Sequence, residues 1–398
     1  MTQPTPGTPG LLRAINDRAA LQALLERGPL TRPEIGAITG LSKPTASQLL
    51  ARLRGAGLVV LNGVREGRPG RAAEVYRLNP AAAYVAALDV TPAHIDARVA
   101  DITGTVVGEY RLPTPGRSAG NVVDKVRAAL EGARAPAGLR RVVIGVPGAV
   151  DPGTGRLGYA TGGSTPGWHI PDLVATLGGG LGVQVAVEND VNLVAQAEKA
   201  HGAGRGHRDF VLLRADEGLG SALVLGGRLH RGATGGAGEI GCLPAPGAPV
   251  AREPGHLAAH GYQALTGGAA VLRILRSYGV RGATFAQAVR NAVRVSEGGG
   301  KHAGDARAGL RDVAARLAVG LASITSVVDP ELIVLTGGTP LAGGETLREL
   351  VERELHALTV PRPPLLLSAV EGNPVLTGAL DLALAAARDE VFGSSLPA

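Results

Sequence analysis

Side chains suited to meeting an anion crowd one short stretch of the chain. Lys43, Thr45, Ser47, Gln48 and Arg52 are spaced to share the outward side of one helix, and such short polar, amide and basic groups suit phosphates and base edges in a DNA major groove. Ser42 precedes them as an N-cap, and Arg68 and Arg71 follow in a turn rich in Gly and Arg. The candidates for DNA contact are therefore Ser42, Lys43, Thr45, Ser47, Gln48, Arg52, Arg68 and Arg71. The alternative is a solvated helical hairpin whose basic face does nothing.

The distribution of charge argues against that alternative. The chain has 398 residues and a formal net charge of +6. Residues 1–80 hold Lys43 and ten arginines against five carboxylates, while the rest of the chain balances 29 basic with 29 acidic side chains. The excess positive charge thus sits in the first fifth of the chain, where double-stranded DNA is the expected partner.

Positioning these groups takes three helices and a hairpin. Leu11, Leu12, Ile15, Leu21, Leu24 and Leu25 recur at helical spacing up to Gly28-Pro29. A second helix fits Arg32 to Thr39 and ends at Gly40. Ser42 opens a third, Lys43 to Arg54, with Pro44 in its first turn and Gly55 and Gly57 closing it. Ala37, Leu41, Ala46 and Leu49 or Leu50 are expected to pack the second helix on the third. Leu58 to Leu61, a turn over Gly63 to Arg71 and an extended run ending near Leu78 complete the plan of a winged helix-turn-helix over 11–80. Residues 1–10, a Pro/Gly/Thr tail, are expected to be flexible.

Beyond Pro80 strands and helices alternate. Tyr84 to Val90, Ile95 to Ile102, Val142 to Val146 and Val183 to Val187 read as strands, with helices over Val122 to Leu130 and Val191 to Ala200. Phe210 to Arg214, Ser221 to Leu225 and the turn Gly226-Gly227 repeat the earlier strand, loop, strand, glycine-turn arrangement. A long amphipathic helix, Leu310 to Val327, leads to a strand over Leu332 to Leu335, and a last helix fits Ala379 to Ala387. The reading is α/β, with two similar lobes facing a cleft: 81–190, completed by a C-terminal helix at 375–390, and 191–374, which would carry effector binding and dimerisation.

Composition removes several classes. Hydrophobic residues at 45% and charged residues at 19% support packed cores. Aromatics at 3% leave too few stacking platforms for a reader of single-stranded nucleic acid. The single Cys242 can form no intramolecular disulfide and is expected to be a small packed residue, which fits a reducing, cytoplasmic setting. There is no apolar run of about 18 residues and no signal-peptide pattern, so membrane insertion is not expected.

Several motifs in order then carry a resemblance. They are Gly40-Leu41-Ser42-Lys43-Pro44-Thr45, Gly67-Arg68-Pro69-Gly70, Gly145-Val146-Pro147-Gly148, Glu188-Asn189-Asp190, Gly232-Ala233 with Gly236-Ala237-Gly238-Glu239-Ile240-Gly241, and Asp329-Pro330-Glu331-Leu332. Over roughly residues 11–385 the chain resembles the ROK family, which divides into sugar kinases and DNA-binding repressors. The resemblance implies an actin-like, sugar kinase-like domain behind the winged helix-turn-helix.

The resemblance also assigns roles. Kinases of this kind carry Asp-x-Gly-Gly-Thr at the first hairpin, where glycine N–H groups approach ATP phosphates; the corresponding stretch here is Asp89-Val90-Thr91-Pro92-Ala93, and Pro92 has no N–H. The second phosphate loop becomes Asp216-Glu217-Gly218-Leu219-Gly220, whose carboxylates repel ATP. Asp190 matches the kinases' general base and Glu239 a sugar contact, so Asn189, Asp190 and Glu239 are the expected ligand-binding residues; the plainer alternative is that Asn189 and Asp190 only cap the next helix. The family's zinc cluster is gone: Cys242 stands at its His position, and His256 and His260 are scattered. Ala258 and Ser164 stand where two sugar partners usually lie. Trp168 would stack on a sugar or fill the core.

The expectation is a cytoplasmic transcriptional regulator, a repressor of carbohydrate-related genes, that binds a double-stranded operator as a homodimer or homotetramer under a small carbohydrate effector. No catalytic residue, metal or cofactor is expected. A ROK-type sugar kinase, and a DNA-binding protein whose actin-like domain only dimerises, are the competing readings.

Overall fold

A computed structural model of the chain describes residues 9–66, 72–114, 121–158, 167–250 and 260–393. Most of the expected tail, the wing tip with Gly67, Arg68 and Arg71, and Ser164, His256 and Ala258 lie outside the described residues.

The N-terminal part follows from strong local signals. Its elements are α1 (Pro9–Arg27), β1 (Leu30–Thr31), α2 (Arg32–Thr39), α3 (Lys43–Gly55), β2 (Val59–Glu66) and β3 (Ala72–Leu78). Gly40 ends α2 in the left-handed conformation, φ 69°, which glycine adopts without a Cβ clash, and its N–H closes on the Gly36 carbonyl. The strands form an antiparallel sheet in the order β1-β3-β2. Gly63 and Arg65, expected in the turn, are instead part of β2, which bulges between Leu61 and Val64.

Packing corrects two expectations. Ala37 is exposed; Ile35 and Gly36 are the buried residues of α2, and a Cβ on Gly36 would lie 3.2 Å from the Leu41 carbonyl oxygen, so the close approach of α2 to α3 depends on a missing side chain. Leu11, Leu12 and Ile15 are exposed, because the buried face of α1 runs through Ala14, Asp17, Leu21 and Leu24. Ile35, Leu49, Leu50, Leu53 and Val59 complete this core, each aliphatic side chain contributing about 1.5–3 kcal/mol on burial.

Two sheets follow. The first is built from β4 (Tyr84–Val90), β5 (His94–Asp101), β6 (Val106–Pro113), β7 (Leu139–Val146) and β8 (Gln184–Asn189), with α4 (Val122–Gly132) before β7 and α5 (Leu173–Leu181) before β8. After α6 (Asp190–His201) comes the second, from β9 (Phe210–Ala215), β10 (Leu219–Leu225), β11 (Arg228–His230), β12 (Leu332–Thr336) and β13 (Leu365–Leu367). Between β11 and β12 run α7 (Gly261–Thr266), α8 (Gly268–Ser277), α9 (Phe285–Glu297) and α10 (Ala303–Val328). Helix α11 (Gly338–Leu358) precedes β13, and α12 (Pro374–Gly393) ends the described chain.

The orders are β6-β5-β4-β7-β8 and β11-β10-β9-β12-β13. In each sheet three antiparallel strands are followed by a fourth that pairs parallel with the first and a fifth parallel with the fourth. The faint sequence repeat is therefore a true repeat of topology, and the fold is α/β, a winged helix-turn-helix followed by two actin-like lobes.

The helices that leave the sheets cross over. Helix α6, which follows β8, packs on β10 of the second sheet, and α12, which follows β13, packs back on β4 and β7 and alongside α6. Fully buried Glu198 of α6 ties both crossings together: it accepts hydrogen bonds from the backbone N–H groups of Ala203 (2.7 Å), Ala369 (3.2 Å) and Val370 (3.2 Å) and from the Ser368 hydroxyl. At its other end α12 meets the N-terminal part, where Asp389 pairs with Arg18 of α1 and Phe392 shares one apolar cluster with Leu21 and Leu24.

Candidate functional site

The first candidate surface is the start of α3. The Ser42 hydroxyl accepts from the Thr45 N–H at 3.4 Å and lies 2.8 Å from the Thr45 hydroxyl, so Ser42 caps the helix and draws Thr45 toward it. Ser47 donates to the Lys43 carbonyl at 2.9 Å and accepts from Arg32 at 3.1 Å. Lys43, Thr45 and Gln48 are exposed. Arg52 is exposed with them, but it is also tethered: its Nε donates to Asp17 of α1 at 3.0 Å, and Asp17 is almost wholly buried. An acid buried in α1 needs a cation, and Arg52 supplies it.

The approach to this helix is also fixed. Glu34 accepts from the Thr31 N–H at 2.6 Å and from its hydroxyl at 2.7 Å, closing a capping box on α2. Those two bonds, with Arg65 of β2 at 2.8 Å, hold the Glu34 carboxyl below its ordinary range. Arg32, which reaches Ser47 of α3, and Arg65, which pairs with Glu34 of α2, are two further basic residues beside these helices that the sequence reading does not include among the candidate contacts. A basic residue at a helix start beside a capping threonine was the signal available for Arg32.

The second candidate site lies between the sheets, where β8 runs into α6. Asn189 accepts from the Val191 and Asn192 N–H groups at 2.8 and 3.1 Å and donates to the Gly148 carbonyl at 3.0 Å. It is therefore a cap in this arrangement. Glu188 holds Asn192 at 2.9 Å with one oxygen and Arg231, which follows β11, at 2.6 Å with the other. Asp190 receives Arg214 of β9 at 2.7 Å, and Arg214 also reaches toward Asp216 at 3.4 Å. Two ion pairs accordingly join the end of β8 and the start of α6 to the second sheet. Neither arginine stood out among the candidates, because each meets its partner only through the fold.

Charge in this cleft is mostly negative. Burial raises the Asp190 pKa while Arg214 opposes the rise. Burial, then repulsion from Asp190, raises that of Glu239, whose carboxylate makes no hydrogen bond or ion pair among the described residues. Asp89, at the end of β4, is raised by burial, lowered by a 2.8 Å hydrogen bond from Asn373 and raised again by Asp190. Asn373 also caps α12, accepting from the Val375 and Leu376 N–H groups at 3.0 and 3.2 Å. Trp168 is buried in the apolar core of the first lobe. Cys242, expected to be packed, is exposed beside the Glu239 turn, and partial desolvation of its thiol plus the nearby Glu239 charge raise its pKa.

The turns that would face a nucleotide are occupied by their own bonds. The Ala93 and His94 N–H groups both donate to the Thr91 hydroxyl, at 3.4 and 3.0 Å, and the Thr91 N–H donates to the His94 carbonyl at 2.9 Å. In the second turn the Asp216 N–H closes on Gly218 at 3.0 Å and the Leu219 N–H on Gln263 at 2.7 Å. A phosphate would have to displace these partners and approach Asp216 and Glu217. The carboxylates of Asp190 and Glu239, by contrast, can accept hydrogen bonds from ligand hydroxyls.

Two lobes of one strand order meeting at a cluster of carboxylates, with a winged helix-turn-helix ahead of them, define an actin-like protein that carries an N-terminal winged helix-turn-helix. The sequence pattern of the ROK family matches residues 85–386, and that of the MarR family matches residues 10–72. The chain belongs to the ROK family. It is 26% identical over 235 residues to the xylose repressor of Bacillus subtilis (strain 168), a match covering 58% of this chain and 60% of that repressor. It is 32% identical over 154 residues to the glucokinase of Streptomyces coelicolor, covering 39% of this chain and 47% of the kinase. The crystal structure of a ROK family transcriptional regulator, a homologue of the E. coli MLC protein, superposes with a TM-score of 0.71 at 16% identity over 97% of this chain and 99% of that one, a likeness of fold.

Proposed function

We propose that this protein is a transcriptional repressor whose grip on a double-stranded operator is set by a small carbohydrate. The observation that carries the reading is the conjunction of an exposed Lys43, Thr45 and Gln48 at the start of α3 with an actin-like domain whose first phosphate turn is closed on the Thr91 hydroxyl. The same conjunction supports binding without phosphoryl transfer: Asp190, held by Arg214, serves as a hydrogen-bond acceptor rather than a base. Base readout falls to Lys43, Thr45 and Gln48, with Arg68 and Arg71 in the wing, while Ser42, Ser47 and Arg52 shape the helix that presents them. Asp190 and Glu239 meet the effector, and Asn189 caps the helix that Asp190 begins.

In this reading 11–80 is the DNA-binding domain, 81–190 with the C-terminal helix is the first lobe, and 191–374 is the second, which senses the effector and dimerises. A homodimer or homotetramer places two readers on a two-fold operator in the cytoplasm. Effector coupling of about 1–3 kcal/mol changes operator affinity roughly 5- to 150-fold.

A thermal-shift screen of monosaccharides, their phosphates and disaccharides, followed by operator titration with each hit, tests the proposal. Lys43→Ala and Gln48→Ala should each weaken selective binding by about 1–3 kcal/mol with the thermal midpoint unchanged. Phosphorylation of a hexose by ATP that disappears in Asp190→Ala would replace this reading with that of a sugar kinase.

A further inference from the structure

The balanced charge of residues 81–398 conceals a strong separation. Residues 260–296 contain no Asp or Glu and carry Arg273, Arg276, Arg281, Arg290 and Arg294; residues 317–398 hold ten acidic side chains against four basic ones. The five arginines lie on α8, the turn after it and α9, helices that pack against each other. The apolar faces of these helices, Val271, Ile274 and Leu275 on α8 and Phe285, Ala288, Val289 and Ala292 on α9, are buried against the second lobe. The arginines are therefore turned outward, all five exposed and none with an ion pair or side-chain hydrogen bond among the described residues.

Between the two helices lies an open groove of about 710 Å³ lined by Arg276, Arg281, Gln287 and Asn291. The Asn291 amide donates to the Arg281 carbonyl at 2.8 Å and the Gln287 amide oxygen accepts from the Ala283 N–H at 2.9 Å, which fixes the turn, and the guanidinium groups along its concave edge are donors suited to phosphate oxygens. Seven of the ten carboxylates in 317–398 are already engaged, three with Arg348 and one each with His207, His201, Arg18 and Arg140. Among the described residues, this chain itself supplies no counter-charge to the five arginines.

We infer that α8 and α9 form a second, sequence-independent contact with duplex DNA phosphates, outside the segment that the winged helix-turn-helix occupies. The choice of DNA among polyanions rests on the DNA-binding reading above; the uncompensated charge does not. Each phosphate neutralised steepens the salt dependence of binding by about 0.9 in the log–log slope, so four contacts add up to about 3–4.

The test uses the full chain against a 60-bp and a 15-bp duplex of mixed sequence over a salt series, with Arg276→Ala/Arg281→Ala/Arg290→Ala/Arg294→Ala as the variant. The variant is expected to lose about 2–4 from the slope and at least tenfold in low-salt affinity on the 60-bp duplex, with little change on the 15-bp one and an unchanged thermal midpoint. Arg290→Glu/Arg294→Glu alone should reproduce the direction, which covers the case of a misfolded quadruple variant. Lys43→Ala/Gln48→Ala should leave the length-dependent part intact, so failure of sequence readout and failure of this contact are separable. Unchanged affinity and slope on the 60-bp duplex would overturn the inference. So would a loss of binding to phosphatidylglycerol vesicles or polyglutamate with DNA binding intact.

Discussion

The two sheets have one strand order and opposite charges at one place in it. The first strand of the first sheet, β4, has Asp89 as its penultimate residue, and the first strand of the second, β9, has Arg214 there; both face Asp190, where β8 gives way to α6. The repeated scaffold delivers two strand ends to one point in the cleft. Which charges arrive there is left to single residues, and those residues decide whether the point attracts a phosphate or holds itself shut. The crossovers differ as well. A single helix, α4, precedes β7 in the first lobe, whereas α7 to α10 precede β12 in the second and bring the arginine face with them.

The largest effect expected at this junction is from Arg214→Ala. It strands Asp190, and because the two side chains keep 30% and 15% of their exposure the cost should be about 2–3 kcal/mol, below the figure for a fully buried pair. Asp190→Asn in the same background should recover most of it, and a double-mutant cycle by chemical denaturation reads the coupling. A recovery of nothing would mean that the pair does not hold the lobes. Asn373→Ala comes next: it removes the α12 cap and the bond to Asp89 together, about 1–2 kcal/mol by the same measurement.

The smallest expected effect is in pH dependence. Asp89, Asp190 and Glu239 all have raised pKa values, so the folded state binds more protons than the unfolded one. Their contribution is complete below about pH 4 and is lost as pH rises through the raised values. Glu239→Gln should make that fall shallower in a stability profile from pH 4 upward. A steeper fall would place its pKa shift on the other side.

What could be read from the sequence was local. Gly40, Ser42 and the limits of α2 needed only neighbouring residues, because caps and turns are decided within a few positions. The topology of the second lobe is hinted at by the runs Phe210 to Arg214 and Ser221 to Leu225 with the turn Gly226-Gly227, which repeat the pattern of the first. The tether of Arg52 is not legible because its partner Asp17 lies 35 residues earlier, and the role of Arg214 is not legible because its partner Asp190 belongs to another element. Ala37 for Ile35 and Gly36 is a different error, one of phase on a short helix, where two apolar faces fit the same spacing. The arginine face was hidden by arithmetic, since an equal acidic excess follows it in the chain.

Helix α12 begins beside the cleft, where Asn373 holds Asp89, and finishes against α1, where Asp389 meets Arg18. Its twenty residues make a rod about 30 Å long. A pivot of about 10° at the cleft end would sweep the far end through about 5 Å, close to the pitch of one helical turn. One rod thus spans from the junction of the two sheets to the winged helix-turn-helix, and a tilt at either end would be felt at the other.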